Sequence, residues 1–231
     1  MGSEMCIRDS INGADCVISQ TGFTGEKGYE IYVRDTHENA EKVWNKVLED
    51  GEEFGLMVIA PAHHRRIAAG ILSWGQDLDH ETSPFQVNLA YQVPRNKKSD
   101  YIGKAELERQ RDVIDSGDAP FKMKMVGITL GGKEITDYAP DFWLVADTDG
   151  NEMGYVTSPW WSPELETNIA LAWVPWSSSE VGTKLLVKLP DEYSVTPGEP
   201  VEGEVVDVPF RESVNPNKRE VEAAKGKDYA E

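Results

Sequence analysis

The sequence has little cysteine and little histidine. Its 231 residues include two cysteines, Cys6 and Cys16, and four histidines. Two cysteines make neither a disulfide framework nor a zinc site, so we expect a chain of the reducing cytoplasm. His63 and His64 are adjacent and make a poor metal pair, because a site needs three or four converging ligands. We therefore predict no metal site.

Positive charge and long apolar runs are also scarce. Lysine and arginine number 23 against 41 aspartates and glutamates, which gives a formal net charge of −18. Such a chain repels nucleic acid and anionic membranes, and no apolar run approaches the roughly 20 residues of a membrane span. We expect neither partner. Residues 1–10 lack the apolar region of a signal peptide and do not join naturally to the segment after them, so we interpret them as a non-native leader.

The first half of the sequence predicts a mixture of strand and helix. Residues 29–33 (YEIYV) are rich in strand-forming residues, and the three glycines of residues 21–28 mark a tight loop before them. Asp35 and Glu38 have the spacing of a capping box, and Gly51 is a natural helix stop. Between them one apolar stripe has helical spacing: Ala40, Val43, Trp44, Val47 and Leu48. A second, short helix is predicted over residues 103–114.

The second half of the sequence predicts strands. Turn residues 147–151 (DTDGN) separate two strand candidates as in a hairpin. The strand candidates are residues 123–130, 142–146, 153–157, 168–174, 183–189 and 201–208. Several short strands between turn signals indicate a small barrel or sandwich. Residues 212–231 are polar and charged, and we interpret them as a tail that is dispensable for stability.

Six short segments together resemble one protein family. Residues 21–31 (TGFTGEKGYEI) resemble the GYTGEDGYEI signature of the glycine-cleavage T protein family of aminomethyltransferases. Residues 66–70 (RIAAG) and 74–84 (WGQDLDHETSP) resemble its LRLEAG and YGNDIDETTTP motifs. Residues 101–104 (YIGK), 154–158 (GYVTS) and 162–170 (SPELETNIA) are similar to further family motifs. Their order and spacing agree over about residues 17–210.

The resemblance implies an α+β fold in two domains. We expect the C-terminal part of a folate-binding α+β domain over residues 11–118 and a small β-barrel over 120–211. It also implies tetrahydrofolate as the cofactor. The partner it implies is a small-molecule aminomethyl or methyl donor, or a lipoyl carrier protein that carries the donor group.

The resemblance assigns three residues to the folate site. Glu30 stands where the family holds the pterin edge, and a carboxylate can accept both N–H groups of that edge at once. Arg66 matches the arginine of LRLEAG, and Phe23 stands where the family has a tyrosine near folate. The residue types alone leave other interpretations open. Glu30 could be an exposed strand residue, Arg66 a partner in a surface salt bridge, and Phe23 an aromatic that fills the core.

Two departures limit what the resemblance implies. The family's catalytic aspartate lies in an N-terminal part that precedes the matched region, so we assign no catalytic residue and expect an N-terminally truncated, inactive chain. Asp77 and Asp79 match a structural turn instead. Glu134 and Asp137 replace a basic residue of the family, and Trp160, Trp161, Trp173 and Trp176 crowd one region. These changes leave two alternatives: a demethylase of the dimethylsulfoniopropionate type that passes a methyl group to tetrahydrofolate, and a non-catalytic folate-binding protein.

Overall fold

The computed structural model of the protein describes residues 6–95, 97–137, 139 and 141–210. Residues 1–5 of the predicted leader and the predicted tail, 212–231, lie outside the described residues. The chain divides into two compact units, Met1–His63 and His64–Glu231. This division places residues 64–118 with the barrel, whereas the family resemblance predicts a domain boundary between 118 and 120, which stays a prediction.

The first unit is a small antiparallel sheet with one long helix. The sheet has the order β1-β2-β3. The elements are β1 (Cys6–Ile11), β2 (Ala14–Ser19), β3 (Glu30–Val33) and α1 (Thr36–Gly51). Val43 of the predicted apolar stripe is buried with Ala14 and Cys16 of β2, and Val47 packs against the same cluster. The predicted strand and helix are therefore confirmed, and the helix is held by its apolar face.

The two ends of α1 are formed differently from the prediction. Asp35 has the left-handed conformation, with φ of 49°, and its side chain makes no capping hydrogen bond, so the predicted capping box is wrong. Instead, its carbonyl oxygen accepts from the amide of Glu38 at 2.9 Å. α1 does end at Gly51, as predicted, but Gly51 has a right-handed conformation, with φ of −82°. The chain continues into a 3₁₀ turn (Glu52–Phe54), and the left-handed residue is Gly55, with φ of 72°. Gly51 is needed for another reason: a Cβ there would lie 2.4 Å from Cδ2 of Leu56.

The second unit contains two helices and a closed barrel of six antiparallel strands. The barrel has the order β4-β7-β6-β5-β8-β9, which confirms the barrel prediction. The helices are α2 (His63–Ala68), which begins at the last residue of the first unit, and α3 (Lys104–Asp115). The strands are β4 (Met123–Leu130), β5 (Trp143–Ala146), β6 (Glu152–Ser162), β7 (Thr167–Pro175), β8 (Lys184–Val187) and β9 (Val201–Val206).

The barrel is closed around branched aliphatic side chains. β4 pairs with β7 on one side and with β9 on the other, and this pairing closes the ring. Its interior includes Ile128, Val145, Val174 and Val187, each fully buried. The predicted hairpin turn between β5 and β6 is also present, because Asp147 Oδ1 accepts from the amides of residues 149 and 151. Short strand-forming segments separated by turn signals were thus a sufficient signal for this domain.

Candidate functional site

The carboxylate of Glu30 lies at the end of the glycine-rich loop. Glu30 is the first residue of β3 and faces Ser19 across the sheet. The Thr21 hydroxyl donates a hydrogen bond to Oε2, and the Tyr32 hydroxyl donates to the same oxygen at 3.2 Å. Thr21 lies within the segment that resembles the family signature, residues 21–31, and Tyr32 follows that segment directly. The sequence places them there because the loop returns the chain from β2 to the start of β3.

The Glu30 carboxylate retains capacity to accept further hydrogen bonds. A carboxylate has about four acceptor positions, and the two hydroxyl groups use two of them. Within the described part of the chain, both bonds end on Oε2 and none ends on Oε1. The side chain is half-buried rather than fully exposed. Glu30 can therefore accept neighbouring N–H groups of a planar ligand edge, and such charge-assisted pairs are both strong and selective in geometry.

Three aromatic residues lie near Glu30 in the sequence, and each exposes half of its surface or more. Phe23 is 50% exposed, Tyr29 60% and Tyr32 55%. Phe23 therefore does not fill the core, which was the alternative interpretation. The loop that carries it has no regular structure, and Gly25 in its middle takes a φ of 73° that favours glycine. An exposed aromatic face can bind a flat heterocycle, and Phe23 offers one on the same loop that leads to Glu30.

Arg66 is buried in the second unit and paired with an acid. It lies on α2 and is 2% exposed. Its Nη1 donates to Oδ2 of Asp77 at 2.9 Å and to the carbonyl oxygen of Ile71 at 3.1 Å. Its Nη2 donates to Oγ of Ser158 at 2.8 Å. The alternative interpretation of Arg66 as a partner in a surface salt bridge is thus wrong in one respect. Arg66 does form an ion pair, but the pair is buried.

Asp77 is the centre of this buried network. Its carboxylate accepts four hydrogen bonds, from Nη1 of Arg66, the amide of Ser73 (2.7 Å), the hydroxyl of Thr157 (2.5 Å) and the hydroxyl of Ser158 (2.6 Å). Its backbone oxygen accepts from Nε1 of Trp173 at 3.0 Å. These bonds attach the loop after α2 to β6 and β7. Satisfying every acceptor is what makes a buried charge tolerable.

Sequence reasoning gave Asp77 a structural turn role but missed its pairing with Arg66. A signal for the pair was present. Arg66 precedes the apolar residues 67–72, so its charge needs a partner if that segment is buried, and Asp77 is the next acidic residue along the chain. Thr157 and Ser158 could not be found in this way, because they lie 80 or more residues further along the chain.

The tryptophans that crowd residues 160–176 serve the barrel in different ways. Trp173 is 7% exposed and uses its Nε1–H for the carbonyl oxygen of Asp77. The ring of Trp176 lies 6.2 Å from that of Phe121, and Nζ of Lys124 lies 5.1 Å from its centroid. Burial lowers the pKa of Lys124. Trp173 is therefore part of the core, and Trp176 has an aromatic and a cationic neighbour of its own.

The three residues assigned to folate fall in different units. Glu30 and Phe23 belong to the first unit and Arg66 to the second. Their roles toward folate stay predictions. Among the described residues, no group of three or more His, Cys, Asp or Glu side chains is placed to hold a metal ion. In the same part of the chain, no helix is both long and apolar enough to cross a membrane.

Two family models match the chain in succession. Residues 5–97 match the GCVT N-terminal domain, and residues 124–211 match the glycine cleavage T-protein C-terminal barrel domain. The second match covers the six strands of the closed barrel, and the first covers the glycine-rich loop, Glu30 and the Arg66–Asp77 pair.

Curated relatives and a solved structure agree with these models. The chain is 32% identical to an aminomethyltransferase of Geobacillus sp. (strain WCH70), over 87% of this chain and 50% of that protein. It is 31% identical to the aminomethyltransferase of Bacillus subtilis (strain 168), over 87% and 51%. The crystal structure of glycine cleavage system aminomethyltransferase T from Bartonella henselae superimposes with a TM-score of 0.63 and 25% identity, over 85% of this chain and 50% of that one. The chain thus spans about half the length of the relatives it matches.

Proposed function

The chain belongs to the glycine-cleavage T protein family, and from this premise we propose that it forms part of a tetrahydrofolate-dependent aminomethyltransferase. The observation that carries the proposal is the succession of the two family domains, with an accepting carboxylate at the position of the family signature in the first. The relatives that support it are named aminomethyltransferases. Tetrahydrofolate would receive the one-carbon unit on a ring nitrogen when it is bound.

Glu30 is the residue we propose to hold the pterin edge. That edge presents an amino group and a ring N–H side by side, and a carboxylate can accept both. The hydroxyl groups of Thr21 and Tyr32 already bond to Oε2. They fix the direction of the carboxylate before a ligand arrives, which lowers the entropy that binding would otherwise cost.

Phe23 is the residue we propose to pack against the folate ring. It is half exposed on the same loop, and a phenyl face can stack on a heterocycle without a hydrogen-bonding group. We propose that Arg66 supports the folate site by holding neighbouring residues in place rather than by contacting folate. Both its terminal nitrogens already donate to protein atoms. By holding Asp77 and Ser158 it keeps the loop after α2 against the barrel.

The donor of the one-carbon unit follows from the same proposal. An aminomethyl group carried on a lipoyl protein is the donor that we propose first, because the relatives are named for aminomethyl transfer. A small methylated donor is the second candidate. It is favoured by Glu134 and Asp137, both exposed, at positions where the resemblance predicts a basic residue. A non-catalytic folate-binding protein is the third candidate.

Titration of the 231-residue chain with tetrahydrofolate tests the binding part of the proposal. We expect saturable heat of binding that a Phe23→Ala change weakens. The donors are separated by incubating the chain and tetrahydrofolate with aminomethylated lipoyl carrier protein or with dimethylsulfoniopropionate, and identifying the folate product by mass. Formation of 5,10-methylene-tetrahydrofolate supports the first donor, and 5-methyl-tetrahydrofolate supports the second. Binding without either product shows that the 231-residue chain alone binds folate without transferring a one-carbon unit.

A further inference from the structure

Arg111 is a buried arginine on α3 for which the described residues provide no counter-ion. It is 9% exposed, and its Nη2 donates to the carbonyl oxygen of Val93 at 2.5 Å. Within the described part of the chain it makes no other hydrogen bond and no ion pair. The ring of Phe85 lies against it, with 5.3 Å between Cζ and the ring centroid, but a phenyl ring accepts no conventional hydrogen bond. The described residues therefore leave most N–H groups of this buried guanidinium unused.

Two arginines join α3 to the segment that precedes it. Arg111 reaches back from the helix to Val93, and Arg95 reaches forward to Asp115 on the helix. Both terminal nitrogens of Arg95 donate to the carboxylate of Asp115, at 2.7 and 3.0 Å, and both side chains of this pair are exposed. Asp115 lies four residues after Arg111 on the same face of α3. The buried guanidinium thus lies next to an ion pair at the protein surface.

The acids that act on Arg111 are already paired with other cations. Asp115 is bound by Arg95, and Oε1 of Glu108 lies 3.9 Å from Nζ of Lys104. Burial, and then the nearby Arg95, lower the pKa of Arg111, and the opposing effects of Asp115 and Glu108 do not offset them. An unpaired buried charge is costly, so an added negative charge that reaches Arg111 stabilises the folded chain.

We propose that Arg111 binds a small monocarboxylate beside the Arg95–Asp115 pair. A guanidinium presents parallel N–H groups as a fixed fork, and a planar carboxylate accepts two of them at once. A single negative charge is favoured, because Arg95 and Asp115 balance each other and Asp115 would repel further negative charge on the ligand. The ligand must be narrow where it meets Arg111, since that side chain and Phe85 are both buried. This inference does not depend on the proposed folate chemistry.

Acetate, inorganic phosphate and chloride are the probes that test the proposal. Each is titrated at constant ionic strength into the full, isotope-labelled chain, and the assigned Nε–H signal of Arg111 is followed by NMR. We expect acetate to shift this signal saturably, phosphate to bind at least about fivefold more weakly, and chloride to cause no saturable shift. Phosphate binding as tight as that of acetate, or tighter, would overturn the assignment to a carboxylate. No saturation with acetate, or an equal response to chloride, would overturn the site itself.

Variants decide whether Arg111 is the binding residue, with the affinity read from the methyl proton signal of acetate. Arg111→Lys keeps the positive charge but loses the fork, so we expect acetate to bind about tenfold more weakly. Arg109→Lys is the matched control, because Arg109 lies on the same helix and already donates to Glu106. Thermal melts confirm that each variant is folded, and acetate should raise the melting temperature of the wild type above its value in chloride. Equal affinities for the wild type and Arg111→Lys, or an equal loss in Arg109→Lys, would contradict the assignment.

Discussion

Replacing Asp77 by asparagine removes the negative charge that faces Arg66 inside the second unit. The substitution keeps the shape of the side chain and one oxygen acceptor. The new amide group, however, brings N–H donors to a position that already receives four donors. Arg66 is then a buried charge without its counter-ion. Removing one partner of a buried ion pair typically costs about 3–5 kcal/mol, and we expect about 3 kcal/mol here because some hydrogen bonds survive.

The loss of stability in Asp77→Asn is measured by unfolding the chain in urea and following tryptophan fluorescence. Six of the seven tryptophans lie in the second unit, so the signal reports mainly on that unit. A loss of about 3 kcal/mol corresponds to a fall in melting temperature of roughly 6–12 °C for a unit of this size. Asp79→Asn is the control, since Asp79 is exposed and its oxygen acceptor is retained. We expect that variant to stay within about 0.5 kcal/mol of the wild type.

Arg66→Met completes a double-mutant cycle. If the two charges stabilise the unit through each other, the doubly substituted chain loses less stability than the sum of the single losses, by more than about 1 kcal/mol. A loss below about 1 kcal/mol in Asp77→Asn, or strictly additive losses in the cycle, would refute the reasoning that the pair is energetically coupled.

Two further predictions concern a surface helix and a strand. Hydrogen bonds from Arg109 and Gln110 hold the pKa of Glu106 at about 2, so the stability from this contact is present above the carboxyl's usual range and is lost as the pH falls toward 2. An NMR titration of Arg109→Met should show the Glu106 carboxyl titrating at higher pH, and an unchanged midpoint would contradict this cause. Gly154→Ala should lower the free energy of unfolding by at least about 2 kcal/mol, because a Cβ there would lie 2.1 Å from the backbone oxygen of Trp173. In the control, Gly131→Ala, the nearest atom lies 3.7 Å away; equal urea midpoints for the two variants would contradict the steric reasoning.

The barrel was predictable from the sequence because its signals are local. The strand candidates are rich in strand-forming residues, and most are followed directly by glycine, proline or aspartate. The same local reasoning found α1 through its apolar stripe. It failed for the capping box at Asp35, and it found the end of the helix at Gly51 for the wrong reason. Gly51 is required by the close approach of Leu56 rather than by a left-handed conformation. The sequence does not show whether a glycine is needed for a left-handed backbone conformation or for the close approach of another residue.

Burial, and pairing between residues far apart in the sequence, could not be predicted because they depend on contacts that only the fold creates. Met57 and Ile59 belong to an apolar segment but are 77% and 70% exposed, since an apolar residue is buried only where another surface packs against it. Arg66 was identified through a motif, but its bond to Ser158 joins residues 92 positions apart.

The binding of tetrahydrofolate by Glu30 is the central claim, and calorimetric titration of the wild type and Glu30→Gln tests it most directly. Glutamine keeps the length of the side chain but replaces one acceptor oxygen by a donor, so one charge-assisted bond to the pterin edge becomes a mismatch. We expect tetrahydrofolate to bind about ten- to a hundredfold more weakly to Glu30→Gln, which corresponds to roughly 1–3 kcal/mol, with an unchanged melting temperature. Tyr32→Phe, which removes only a 3.2 Å bond to the same carboxylate, should change the affinity far less. Equal dissociation constants for the wild type and Glu30→Gln would contradict the placement of folate at this carboxylate.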